Sequence, residues 1–213
     1  MSYGLYLFDF DYTLANSEAG IVMCFQHVLK NNGFGAIDDL TIKRTIGLTL
    51  EEAFMALTGE KDKAVLAEYR RQYVKKSDEV MTKNTFLYPE TASLLEKLKA
   101  AGAAVGIIST KYAYRIEVTL REYGIDSLVD LVIGGEMVSR AKPDPEGVLK
   151  AMDYFKADSA QVLYTGDSLV DAKTAAAAGV DFAAVTTGTT TAADFSAYPC
   201  VCVAEALDAI GLL

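Results

Sequence analysis

Asp9 and Asp11 stand two residues apart at the end of an apolar run, Leu5-Tyr6-Leu7-Phe8. Two carboxylates held that close repel one another unless a cation lies between them. Taken alone, the pair reads equally well as one helix cap and one solvated acid, because short motifs match by chance. Three further segments carry groups of the same kind. Ser109-Thr110-Lys111 closes the apolar run Gly106-Ile107-Ile108 with two hydroxyls, which in isolation would cap the next helix. Lys142 precedes Pro143-Asp144-Pro145, a rigid turn opening a helix and fixing the lysine; alone, it reads as a surface residue. Gly166-Asp167-Ser168-Leu169-Val170-Asp171 places two acids on the first turn of a helix behind a glycine that allows close backbone approach. Capping explains one of those acids and not easily both.

The elements that must position these groups follow from periodicity. Short apolar runs at 5–9, 104–109, 131–133, 161–165 and 182–186, with a possible sixth at 200–203, alternate with helical patterns at 91–101, 114–123, 145–155 and 169–178. Gly102, Gly124 and Gly179 follow three of the helical runs, where a left-handed cap is wanted. Such alternation predicts an α/β fold, a doubly wound parallel sheet covered on both faces. Between 17 and 83 the pattern is helical only, at 20–31, 50–57 and 63–81. The expected organisation is therefore a core of 1–15 and 84–213 and a small all-helical domain, 16–83, inserted after the first strand. The four chemical segments each follow a predicted strand, and open α/β sheets bind ligands at the carboxyl ends of their strands. Ala175–Ala178 reads as close helix packing and the Thr-rich 186–191 as a surface loop. His27 reads as a structural residue on a helix.

Composition narrows the classes. A net charge of −9 disfavours a nucleic-acid partner, while a phosphorylated small molecule stays open because a metal ion supplies local positive charge. No apolar run approaches the ~18 residues that span a bilayer, and the first residues lack the basic region of a signal peptide. Cys24, Cys200 and Cys202 are an odd set without an export signal, so reduced thiols in a cytoplasmic protein are expected. Cys200 and Cys202 are expected to share one strand face and not to bind metal. No G-x-G-x-x-G follows the first strand, which disfavours a dinucleotide site.

In order and spacing, Asp9-Phe10-Asp11-Tyr12-Thr13-Leu14, Ser109, Lys142, Gly166-Asp167-Ser168-Leu169-Val170-Asp171 and Ala178-Gly179 resemble the four motifs of the haloacid-dehalogenase-like superfamily. The resemblance covers nearly the whole chain and falls on its phosphatases with a helical cap, phosphoglycolate phosphatase among them. Tyr12 and Asn16 depart from the pattern, standing where many relatives carry glycine and aspartate. The resemblance implies a HAD-like Rossmannoid core and a Mg²⁺-dependent phosphatase acting on a small phosphorylated metabolite, as a monomer or homodimer. Asp9 is implied as nucleophile and Asp11 as general acid and base. Mg²⁺ is implied on Asp9, the Asp11 carbonyl and Asp167, supported by Asp171. Ser109, Thr110 and Lys142 would hold the phosphoryl group. The cap would act as a lid, with Arg44, Gly47 and Thr49 as candidate substrate contacts. An inorganic pyrophosphatase, a beta-phosphoglucomutase-like phosphosugar mutase and a non-catalytic phosphate-binding relative are the alternatives.

Overall fold

The structure is a computed structural model and describes residues 3–212. The first strand, β1 (Leu5–Phe8), is followed by the short β2 (Ala15–Asn16). Four helices come next: α1 (Glu18–Asn31), α2 (Asp39–Lys43), α3 (Leu50–Thr58) and α4 (Lys63–Val80). The chain then runs through β3 (Phe86–Leu87), α5 (Thr91–Ala100), β4 (Ala104–Ile108), α6 (Ala113–Glu122) and β5 (Leu131–Ile133). It ends with α7 (Glu146–Phe155), β6 (Val162–Gly166), α8 (Leu169–Ala178), β7 (Asp181–Val185) and β8 (Cys202–Ala204).

By its internal contacts the chain separates into two compact units, Met1–Ala15 with Leu87–Leu213, and Asn16–Phe86. The larger unit is built on a six-stranded sheet in the order β5-β4-β1-β6-β7-β8, with every neighbouring pair parallel. This is the doubly wound α/β fold that the alternation of strands and helices predicts. Strand β1 is central and buried along its whole length, as expected when helices cover both faces. Tyr6 and Phe8 join Val105, Ile107, Leu95 and Ile116 in one core layer. Leu5 and Leu7 point the other way, into a second layer with Tyr164, Val148, Ala172 and Phe182. The alanine run 175–178 packs only in part: Ala175 is buried in this second layer and Ala178 lies against it, while Ala176 and Ala177 are exposed on the other face of α8.

The smaller unit has its own apolar centre, in which Phe25, Val28 and Leu29 of α1 meet Phe54 of α3 and Leu66, Tyr69 and Tyr73 of α4. Phe25 packs 4.9 Å, centroid to centroid, from both Phe54 and Tyr73. His27 faces outward from α1, with its Nε2 3.0 Å from Asn31 Nδ2. No helix among the described residues is long and apolar enough to cross a membrane.

One helix has no counterpart in the sequence pattern, and one expectation needs correction. Helix α2 carries no periodicity long enough to be read from sequence; it is five residues, started by Asp38, whose carboxylate accepts from the Thr41 amide. Cys200 and Cys202 do not share a face. Cys202 packs against the core layer of Phe8 and Cys200 against that of Tyr164, because β8 begins only at Cys202 and the alternation of a strand does not extend to residues before it.

Candidate active site

Parallel pairing brings the chemical segments together. Phe8 is level with Ile107 on one side and Thr165 on the other, so Asp9, Ser109 and Asp167 leave the sheet at neighbouring strand ends. The Asp9 amide continues the ladder to Thr165 O at 2.9 Å, and the Ser109 amide reaches Ile133 O at 3.0 Å. After Asp9 the chain turns sharply: the Thr13, Leu14 and Ala15 amides all point at Phe10 O, at 3.0–3.2 Å. That turn holds Tyr12 at φ 61°, a left-handed conformation that glycine adopts freely and that costs other residues about 1–2 kcal/mol.

Lys142 lies at the centre. Its ammonium is 3.1 Å from Asp9 Oδ1 and 2.6 Å from Asp171 Oδ1, and it donates to the Tyr164 hydroxyl at 3.2 Å. Tyr164 in turn donates to Asp171 Oδ1 at 2.8 Å. The lysine is 7% exposed, and the loop that carries it is clasped by Glu146, whose carboxylate accepts from the Ser139 and Arg140 amides at 2.9–3.0 Å. Asp171 is fully buried and closes a capping box with Ser168 at the start of α8. Gly166 makes that approach possible, since a Cβ there would fall 2.4 Å from the Asp171 carboxyl carbon.

Carboxylate oxygens of Asp9, Asp167 and Asp171 all lie within 4.8 Å of one another. Burial pushes the Asp9 carboxyl up to about 6; Lys142 opposes that shift, while Asp171 and Asp11 add to it. Burial also raises Asp167 well above the carboxylate range, reinforced by Asp171 and Asp9. Burial alone would lower the Lys142 ammonium, but Asp171 and Asp9 outweigh it and hold it above the usual lysine range. Asp9 Oδ1 is buried and takes no aligned hydrogen bond despite the nearby ammonium. An all-oxygen donor set of crowded acids, one oxygen of which is unsatisfied, fits a hard dication such as Mg²⁺.

Asp11 is nearby but differently partnered: Lys111 Nζ reaches its two oxygens at 2.8 and 3.1 Å. Ser109 is 6% exposed, and its Oγ accepts from the Lys111 amide at 3.3 Å. Thr110 is held from behind, since a Cβ on Gly135 would meet Thr110 O at 2.5 Å. Arg44 is the exposed C-cap of α2. Gly47 has φ 98°. Thr49 caps α3, with its hydroxyl accepting from the Glu52 amide at 3.2 Å and donating to Glu52 Oε2 at 2.7 Å.

Sequence reasoning missed three contributors. Tyr164 was hidden as an ordinary core aromatic, and Lys111 has no motif of its own. The third is the loop 186–191, which is not merely a surface connection: a Cβ on Gly188 would stand 2.0 Å from Asp167 Oδ2, and the Thr187 hydroxyl donates to Tyr12 O. Its one sequence signal is the glycine among threonines just after a strand.

The haloacid dehalogenase-like hydrolase family matches residues 6–185. The chain is 33% identical to the probable phosphatase IndB of Dickeya dadantii, over 86% of this chain and 81% of that one. It is 31% identical to the pyrophosphatase PpaX of Bacillus velezensis, over 90% and 87%, and 29% identical to the phosphoglycolate phosphatase of Colwellia psychrerythraea, over 90% and 88%. A crystal structure from Bacteroides fragilis, assigned to the haloacid dehalogenase-like hydrolases, superposes with a TM-score of 0.96 at 52% identity, covering 98% of this chain and all of that one. A family match over most of the chain, on a sheet whose strand ends gather these acids, leaves one conclusion: the chain belongs to the haloacid dehalogenase-like hydrolases.

Proposed function

We propose that this enzyme is a Mg²⁺-dependent phosphatase that hydrolyses a small organic phosphate monoester, phosphoglycolate or a close analogue, through a phosphorylated Asp9. The observation that carries the reading is the buried group in which Asp171 of α8 and the loop residue Lys142 meet Asp9 and Asp167 at the ends of β1 and β6. Asp9, Asp167 and the Asp11 carbonyl would hold the metal, with Asp171 supporting them. Bound Mg²⁺ supplies the positive charge that lets a carboxylate approach a phosphoryl dianion.

An Asp9 carboxylate oxygen attacks phosphorus, and the ester P–O bond breaks with its electron pair going to the leaving oxygen. Asp11 gives that oxygen its proton. Water then attacks the same phosphorus and gives a proton back to Asp11, and the Asp9–phosphate bond breaks to release inorganic phosphate. Lys142 neutralises Asp9 and the transferring oxygens, and Ser109 and Thr110 donate to the phosphoryl group. In this reading the helical unit is the cap domain and carries Arg44, Gly47 and Thr49 as candidate substrate contacts.

The experiment is a screen of phosphorylated metabolites with Mg²⁺, beside Asp9→Asn. Removing a covalent nucleophile is expected to lower turnover by at least about a thousandfold. Undiminished activity in the variant would remove Asp9 as nucleophile, and phosphate release after chelation would remove the metal. The PpaX relatives favour a second substrate, inorganic pyrophosphate, which the same screen separates from the carbon esters.

A further inference from the structure

Lys111 belongs to no motif and has no part in the proposed reaction, yet it is firmly built into the site. Its side chain is 6% exposed, a degree of burial that lysine seldom reaches without a partner. Its backbone is fixed on two sides: the amide donates to Ser109 Oγ at 3.3 Å, and the carbonyl accepts from Gly135 N at 3.1 Å. Gly134 packs so near that a Cβ there would lie 2.9 Å from Lys111 O. The Phe10 ring lies 5.8 Å from the ammonium, centroid to nitrogen. The two lysines take three of the four acids, Lys142 pairing with Asp9 and Asp171 and Lys111 with Asp11.

We propose that Lys111 is a specificity residue that selects substrates whose leaving group carries a second anionic group close to the ester oxygen. This rests on the phosphatase reading, in which Asp11 hands its proton to the leaving oxygen. The ammonium spans both oxygens of that acid, at 2.8 and 3.1 Å. A charge one or two bonds beyond the leaving oxygen therefore comes within reach of Lys111 as soon as the oxygen meets Asp11. A carboxylate two bonds away, or a second phosphoryl group one bond away, meets this condition, whereas a neutral alcohol leaves the ammonium with Asp11 alone.

The test compares kcat/KM for phosphoglycolate and for its neutral amide, with Mg²⁺, in the wild type, Lys111→Met and Lys111→Arg. The wild type is expected to prefer the acid. Lys111→Met should lower that preference about tenfold, the scale of one charge-assisted hydrogen bond, and Lys111→Arg, which keeps the charge, should retain more of it. A pyrophosphate arm shows whether the second anion is read as a carboxylate or as a phosphate; a preference for either that depends on Lys111 supports the proposal. Equal losses on the acid and the amide would make Lys111 only a support for Asp11 and overturn it, as would identical ratios in the Met and Arg variants. Failure of the phosphatase reading is separately visible, because the wild type would then release no phosphate from either ester in an Asp9-dependent way.

Discussion

Gly188→Ala displaces one carboxylate while leaving the fold in place. The added Cβ would sit 2.0 Å from Asp167 Oδ2, about 1.4 Å short of the 3.4 Å at which ordinary contact begins, and 3.2 Å from Tyr12 Cβ. The end of the Asp167 side chain is the cheapest thing to move, so the carboxylate must shift by roughly an ångström. Metal ligation tolerates about 0.2 Å, and losing a group that orients a ligand weakens binding by about 10–100-fold. Half-saturating Mg²⁺ in a turnover assay should rise by about that factor. The Mg²⁺-induced rise in melting temperature, measured without substrate, should shrink in parallel. Gly4→Ala is the control, because a Cβ there meets nothing within 4 Å. If Gly188→Ala binds Mg²⁺ as tightly as the wild type, Asp167 is not a ligand and the metal assignment fails.

Other outcomes follow from the same contacts. Lys142→Met leaves Asp9 and Asp171 buried without their shared cation and should destabilise the fold by about 3–5 kcal/mol in denaturant titrations, a loss that Mg²⁺ should partly restore. Hydrogen bonds from Lys150 and from the Ser139 and Arg140 amides lower the Glu146 carboxyl from 4.5 to about 2. Because the folded value is the lower one, this stabilisation is complete above 4.5 and fades as pH falls toward 2. Glu146→Gln should therefore be less stable than the wild type at pH 7, with the gap closing between pH 4.5 and 2. Thr49→Ala should cost about 1 kcal/mol by removing the α3 cap, and Thr49→Ser should restore it; a change in substrate KM shared by both variants would instead give the methyl group a part in binding.

Much of the larger unit was legible in the sequence because its strands are short, apolar and bounded by helical runs with glycine caps. The strand at 131–133 and the helix at 169–178 match the structure to the residue. Asp9, Ser109 and Asp167 were legible for a related reason: each directly follows a strand, and parallel strands deliver their carboxyl ends to one edge. Lys142, on a loop well past the end of β5, was marked by its motif alone. Helix α2 was not legible, because five residues hold too little periodicity to be told from a turn.

What the sequence alone determined, then, is the set of chemical groups and the kind of fold that collects them, since period and motif spacing are local properties. Tertiary structure decided which charge answers which. It assigned Lys142 to Asp9 and Asp171, gave Lys111 to Asp11, brought Tyr164 onto Asp171 and laid Gly188 against Asp167. Except for Tyr164 and Asp171, which stand seven residues apart, those partners lie far apart along the chain. Their pairing depends on strand order and on the absence of a single Cβ, neither of which leaves a periodic trace in the residues themselves.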